Sequence, residues 1–176
     1  RINATIASYM KGYSDPRSAV YFTTSKLGGD SPYMGMRSGL EGVKPATYSG
    51  YSMPNYEQKD DMLMFCAAET AFLRAEGALR GWDMGGSARD FYEQGVKLSF
   101  DQRKVSGADE YLANAVAVPE PFIDPVNPAK CNYTPKTKIT IAWNEGASTE
   151  EKLERIITQK WIANFPLGFE GWACLL

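Results

Sequence analysis

The chain has 176 residues, 44% of them hydrophobic and 23% charged, and a net charge of −2. That is about one domain's length with enough apolar residue for a sizeable core; Lys and Arg are scattered without a basic stripe, so a nucleic-acid partner is not expected. It contains no histidine, which excludes Ser-His-Asp and Cys-His catalysis and every histidine-containing metal site, and no apolar run approaches the roughly 20 residues that cross a bilayer.

In chain order, "INATIASYMKGY" reads as a helix from the start. Residues 27–58 then hold six of the 16 glycines and four of the 10 tyrosines, with Pro32, Pro45 and Pro54. A loop this long inside a compact domain is usually functional when ordered. Residues 59–80 show helical periodicity, with Met62, Phe65, Cys66, Phe72, Leu73 and Leu79 on a broad apolar arc. Met64, Ala67, Ala71, Ala75 and Ala78 form a stripe of mostly small residues opposite. Thr70, Arg74 and Gly77 make the only polar strip, so this helix is expected to be a buried middle layer.

Gly81, Gly85 and Gly86 break the pattern. Ser87 is placed to cap a second helix, with Asp90 three residues on. Ala88, Tyr92 and Gly95 follow as small, aromatic, small at i, i+4, i+7, the second-helix signature of tetratricopeptide-type hairpins. Residues 59–104 therefore read as one antiparallel helix pair. Residues 116–147 form a second irregular stretch with five prolines, and "KITIAWNE" within it alternates like a short strand. "STEEKLERIITQKWIANF" then has a capping box, Ser148 with Glu151, and an apolar stripe of Leu153, Ile156, Ile157, Trp161 and Phe165 that ends at Pro166 and Gly168. Cys66, Cys131 and Cys174 have no metal or redox spacing. With no initiator Met and an apolar "WACLL" end, the chain reads as the C-terminal part of something larger.

Glu69 and Glu76 sit seven residues apart in "AETAFLRAEGALRGW", within the apolar arc. Buried carboxylates are costly unless paired, so the pair is either a catalytic dyad or a set of internal struts. Their backbones lie roughly 10.5 Å apart along a helix, whereas glycosidase carboxyls sit about 5–5.5 Å or about 6.5–9.5 Å apart. A middle-layer helix also gives substrate no route in. Both glutamates are expected to be struts, with Arg80 the local partner of Glu76.

"AETAFLRAEGALRGW", "ARDFYEQGVKLSF", "EKLERIITQKWIANFPLGFEGW" and the earlier "ASYMKGYSDPR" resemble, in order, the C-terminal half of the SusD/RagB family of outer-membrane nutrient-binding lipoproteins. The resemblance runs from about residue 7 to 172. It implies a mainly α fold of tetratricopeptide-like helical hairpins, with long irregular loops, little β structure, and the ligand site on the loops. It further implies a non-catalytic binding protein on the outer face of the outer membrane. Such proteins capture glycans, or in some members peptides, for a TonB-dependent SusC-type transporter. The lipid anchor and the family's N-terminal half are not in this sequence, so the remainder of the polypeptide is an expected partner. No cofactor and no metal are expected.

Sugar rings present apolar C–H faces that stack on aromatic side chains. "SPYMGMRSG" and "ATYSGYSMPNYEQ" offer Tyr33, Tyr48, Tyr51 and Tyr56 among Ser, Gly and Asn, and Tyr gives contact area at low entropy cost. These four, with Trp82 in the helix-pair turn, are the candidate ligand residues; the alternative for the tyrosines is that they cover the loop's own underside. Trp161 is expected in the core. A glycan binder is preferred over a peptide binder of the same family, a tetratricopeptide-like scaffold for protein partners, and an enzyme.

Overall fold

The structure is a computed structural model that describes residues 1–40, 44–61 and 63–173. Met62 of the expected apolar arc and Cys174 of the terminal sequence lie outside them. The chain divides into two compact units, one of residues 1–58 and 117–138, the other of 59–116 and 139–176.

The first unit is built mostly of irregular chain. Asn3 caps α1 (Ala4–Gly12) by accepting from Thr5 N, so the chain enters this helix at its cap. A single turn, α2 (Ser18–Tyr21), and a 3-10 turn (Pro45–Tyr48) follow. Elsewhere backbone is held against backbone. Ile2 N donates to Ser52 O at 3.0 Å, Met36 N to Ile2 O at 2.8 Å and Ser52 N to Met34 O at 3.0 Å. Only isolated bridges form, at Asn3–Met36, Phe22–Pro54 and Phe122–Tyr133, and no strand exists among the described residues. Such close approach requires bare backbone: a Cβ on Gly12 would stand 2.1 Å from Val118 O and 2.5 Å from Glu120 N. Beneath these loops lies a core of Ala4, Met34, Tyr48, Tyr51 and Phe122. Arg17 and Asp15, both fully buried, pair there through Nη2 and Oδ2 at 2.6 Å.

The second unit is helical: α3 (Ala67–Leu79), α4 (Ala88–Gln102), α5 (Ala108–Leu112), α6 (Thr149–Ala163) and α7 (Gly168–Ala173). The expected capping box of Ser148 with Glu151 is present on α6, and Ser87, expected as the N-cap of α4, forms one as well with Asp90. α3 packs against α4 on one side and α6 on another.

The helix expected over 59–80 is shorter at its start. Cys66 is its extended N-cap, and Met64 and Phe65 before it are exposed, at 78% and 61%. A tertiary contact sets the boundary: the Cys66 thiol faces Gln102 Oε1 at 3.0 Å, seating the helix end beside α4. The buried face is also not the expected arc. It comprises Ala68, Glu69, Ala71, Phe72, Ala75 and Gly77, while Leu73 is exposed. Small residues win this face because α4 comes close; a Cβ on Gly95 would meet the Phe72 ring at 2.7 Å.

"KITIAWNE" is not a strand. Ile139 and Ile141 are buried as alternation suggests, but side chains hold the segment: Tyr92 OH donates to Ile141 O at 2.6 Å and Arg155 Nε to Thr140 O at 3.0 Å. The segment thus satisfies two of its carbonyls with helix side chains, and Ala142 N donates to Asn114 O at 2.9 Å. Trp161, expected in the core, is only half-buried.

Candidate ligand-binding surface

The two glutamates separate in role. Glu69 is buried and faces Lys160 of α6, Oε1 to Nζ at 3.6 Å, a strut between two helices. Glu76 is half-buried and accepts from Arg80 Nη2 at 2.7 Å, one helical turn along. Arg80 is the local partner expected for Glu76, but that partner is exposed, which corrects the expectation of an internal strut there. The Glu76 side chain reaches outward along the helix, not into a neighbour.

The tyrosines of residues 27–58 also separate. Tyr48 and Tyr51 are core residues, their rings stacked at 5.2 Å. Tyr51 OH donates to Asp124 Oδ1 at 2.6 Å. Asp124, itself buried, accepts on the same oxygen from Val126 N at 2.9 Å and Asn127 N at 2.8 Å. One carboxylate therefore ties the second irregular stretch to the first. Burial first, then the hydrogen bond to Asp124 and its charge, push the Tyr51 phenol far above its ordinary range; burial raises Tyr48 and Cys131 as well. Neither ring has the exposure that a stacking platform needs, which corrects that expectation for Tyr48 and Tyr51: they cover the underside of the loop. Tyr33 is half-buried against Phe22, ring centroids 5.9 Å apart.

Tyr56 is different. It is 63% exposed and follows a ribbon made by two chain segments. Thr23 N donates to Met53 O and Asn55 N to Tyr21 O, at 2.9 and 2.8 Å; Asn55 Nδ2 reaches Val20 O at 3.3 Å. The ribbon fixes the backbone beside Tyr56 and leaves Val20 and Met53 exposed as well. An exposed ring beside apolar groups and an amide on pinned backbone can stack on a sugar face and order its hydroxyls. Val20 and Met53 were not singled out by sequence, because their neighbourhood comes from pairing across about thirty residues.

Trp82, also 63% exposed, lies in the second unit. Its Cε3 edge and the Met84 sulfur cover Gly77, 3.3 and 2.9 Å from where a Cβ would stand. Arg74 holds the turn, with Nη2 donating to Met84 O at 2.8 Å and its guanidinium 3.9 Å from the Phe91 ring centre. One edge of the indole therefore staples the hairpin, and the rest of it faces outward. No helix among the described residues is long and apolar enough to cross a membrane.

A family model described as "SusD-like: Susd and RagB outer membrane lipoprotein" matches residues 1–175. Solved structures agree. A SusD-like protein from Bacteroides thetaiotaomicron is 47% identical with a TM-score of 0.90, over 97% of this chain and 36% of its own. A chitin-binding SusD homolog from Flavobacterium johnsoniae is 47% identical with a TM-score of 0.90, over 98% of this chain and 36% of its own. A SusD homolog from Bacteroides uniformis is 48% identical with a TM-score of 0.87, over 97% of this chain and 35% of its own. None of the curated proteins matches. The chain thus spans about a third of the length of these solved relatives. By family model and by structure it belongs to the SusD/RagB family of outer membrane lipoproteins.

Proposed function

We propose that this chain is part of a non-catalytic glycan-binding protein on the outer face of the outer membrane. There it hands oligosaccharide or polysaccharide to a TonB-dependent SusC-type transporter. The observation that carries the reading is the exposed Tyr56 on its pinned ribbon in a chain 47% identical to a chitin-binding homolog. Binding needs no bond cut. The ring supplies an apolar face for a sugar, and the neighbouring Asn55 amide supplies hydrogen bonds that replace water's. Trp82 offers a second stacking face on the helical unit.

The test is affinity electrophoresis against soluble polysaccharides, with reducing ends followed in parallel. Saturable retardation that weakens in Tyr56→Ala, without new reducing ends, supports the reading. Accumulating reducing ends count against it, and retention of a peptide library in place of every glycan assigns the chain to the peptide binders of its family.

A further inference from the structure

The first unit carries nine Lys and Arg against six Asp and Glu, the second ten against fifteen. Acidic excess is thus confined to the helical unit, and the loop-built unit is basic although the whole chain is not. Within it, four cations gather around one contact. The Cys131 thiol meets the Tyr48 hydroxyl, and Tyr51 beside it meets Asp124, so residues 44–51 lie against residues 122–133. Arg1 reaches this junction by donating from Nε to Tyr48 O at 2.7 Å and from Nη2 to Ser49 O at 3.2 Å. Arg37 donates from Nη1 to Asn132 O at 3.0 Å. Lys44 caps the 3-10 turn that ends at Tyr48, and Lys130 precedes Cys131.

All four are exposed, and none forms an ion pair with a carboxylate among the described residues. Lys11 and Arg17 of the same unit, by contrast, do, Lys11 with Asp30 and Glu120 and Arg17 with Asp15. Asp124, the acid at the junction, is buried beneath it; its Oδ1 accepts from Tyr51 and two backbone amides, and its Oδ2 has no hydrogen-bond partner among the described residues. In sequence, Glu41 is the only acid between Asp30 and Glu57, and none lies between Asp124 and Glu145. The two guanidiniums are held by loop carbonyls, which orders them before any ligand arrives and leaves further N–H groups to donate.

From this we infer that the Arg1–Arg37–Lys44–Lys130 face takes an anionic polysaccharide, its carboxylate or sulfate groups lying across the junction. The inference rests on the proposed glycan binding and names the class of glycan. Unpaired cations on one face raise the local concentration of a polyanion and lose that advantage as salt screens them.

The experiment compares polygalacturonate (carboxylated), chondroitin sulfate (sulfated) and dextran (neutral) in native affinity gels. It uses the unmodified chain, K44Q/K130Q, R37K, and K104Q in the helical unit as a control. One or both anionic polymers are expected to be retained about tenfold more strongly than dextran at low salt, and that margin is expected to vanish at about 0.5 M NaCl. K44Q/K130Q, which removes charge but no hydrogen bond described above, is expected to lose the margin, whereas R37K and K104Q keep it. Which polymer is held assigns carboxylate or sulfate. The inference is overturned if dextran binds as well as the anions, if K44Q/K130Q leaves the margin intact, or if anionic lipid vesicles capture the chain through these lysines while no polymer does. Neutral binding that depends on Tyr56 would then leave the proposed function standing, whereas no retention by any polysaccharide would remove both.

Discussion

The two units solve the same packing problem with different chemistry. The helical unit holds all four tryptophans and is held by side chains interdigitating between helices. The loop-built unit holds eight of the 10 tyrosines and is held by backbone hydrogen bonds between distant segments, with buried polar pairs below. Regular helices satisfy their own backbone groups and leave side chains to pack, so that unit tolerates an acidic surface. Irregular chain must find partners for each N–H and C=O, which is why Arg17, Asp15 and Asp124 are inside it. The difference bears on the proposed recognition. Loops pinned at this density present side chains on fixed backbone, which is what the proposed recognition requires.

The sharpest way to break this comparison is Arg17→Ala. It removes the guanidinium that faces the buried Asp15 carboxylate and is expected to cost about 3–5 kcal/mol, seen as loss of the loop-built unit while tryptophan emission, confined to the helical unit, stays native. Gly95→Ala attacks the other side. Its Cβ would meet the Phe72 ring at 2.7 Å, and a loss of about 2 kcal/mol is expected in the tryptophan-monitored transition.

Alkaline titration sharpens the contrast further. Tyr48, Tyr51 and Cys131 all have folded values raised above their ordinary 10.0, 10.0 and 9.0, burial being the leading cause. Their contribution is full below those unfolded values and is lost as pH climbs past them, because the unfolded chain then releases protons that the folded one retains. Tyrosinate absorbance is therefore expected to rise late and steeply, together with unfolding of the loop-built unit. The helical unit carries lowered carboxyls instead, Asp90 through its Ser87 cap and Glu145 through Trp143 and Lys152. Their smaller contribution is present above the ordinary carboxylate range and is lost as pH falls below it. The smallest expected effect separates the glutamates. Glu69→Ala, which leaves Lys160 without its partner across helices, should cost about 1–2 kcal/mol, and Glu76→Ala, with a local exposed partner, at most about 0.5 kcal/mol; equal values would return Glu76 to the interior.

What could be read from the sequence was what is decided locally. The caps at Ser87 and Ser148 involve residues three apart, and the Ser148 capping box forms as its spacing predicts. The small-aromatic-small spacing around Gly95 likewise announced a close helix neighbour. The start of α3 was not legible, because a thiol meeting a side chain 36 residues on decides it. Nor could composition separate Tyr56 from Tyr51; alike in sequence, they differ by one buried acceptor, Asp124, 73 residues from Tyr51. The charge pattern is the clearest case. Lys and Arg look scattered along the chain, and the pairing of residues 44–51 with 122–133 brings four of them to one junction where none has an ion-pair partner among the described residues. "KITIAWNE" failed in the opposite direction, since its alternation reports burial correctly but not the helix side chains that replace a strand partner.

The central claim, that pinned loops recognise and helices support, is tested most directly by soluble-polysaccharide retention of Tyr56→Ala and Trp82→Ala beside the unmodified chain. A loss of at least about tenfold for Tyr56→Ala and a smaller one for Trp82→Ala is the expected result, in line with stacking contributions of roughly 1–3 kcal/mol for an aromatic platform. Retention abolished by Trp82→Ala and untouched by Tyr56→Ala would place recognition on the helical hairpin and contradict the account.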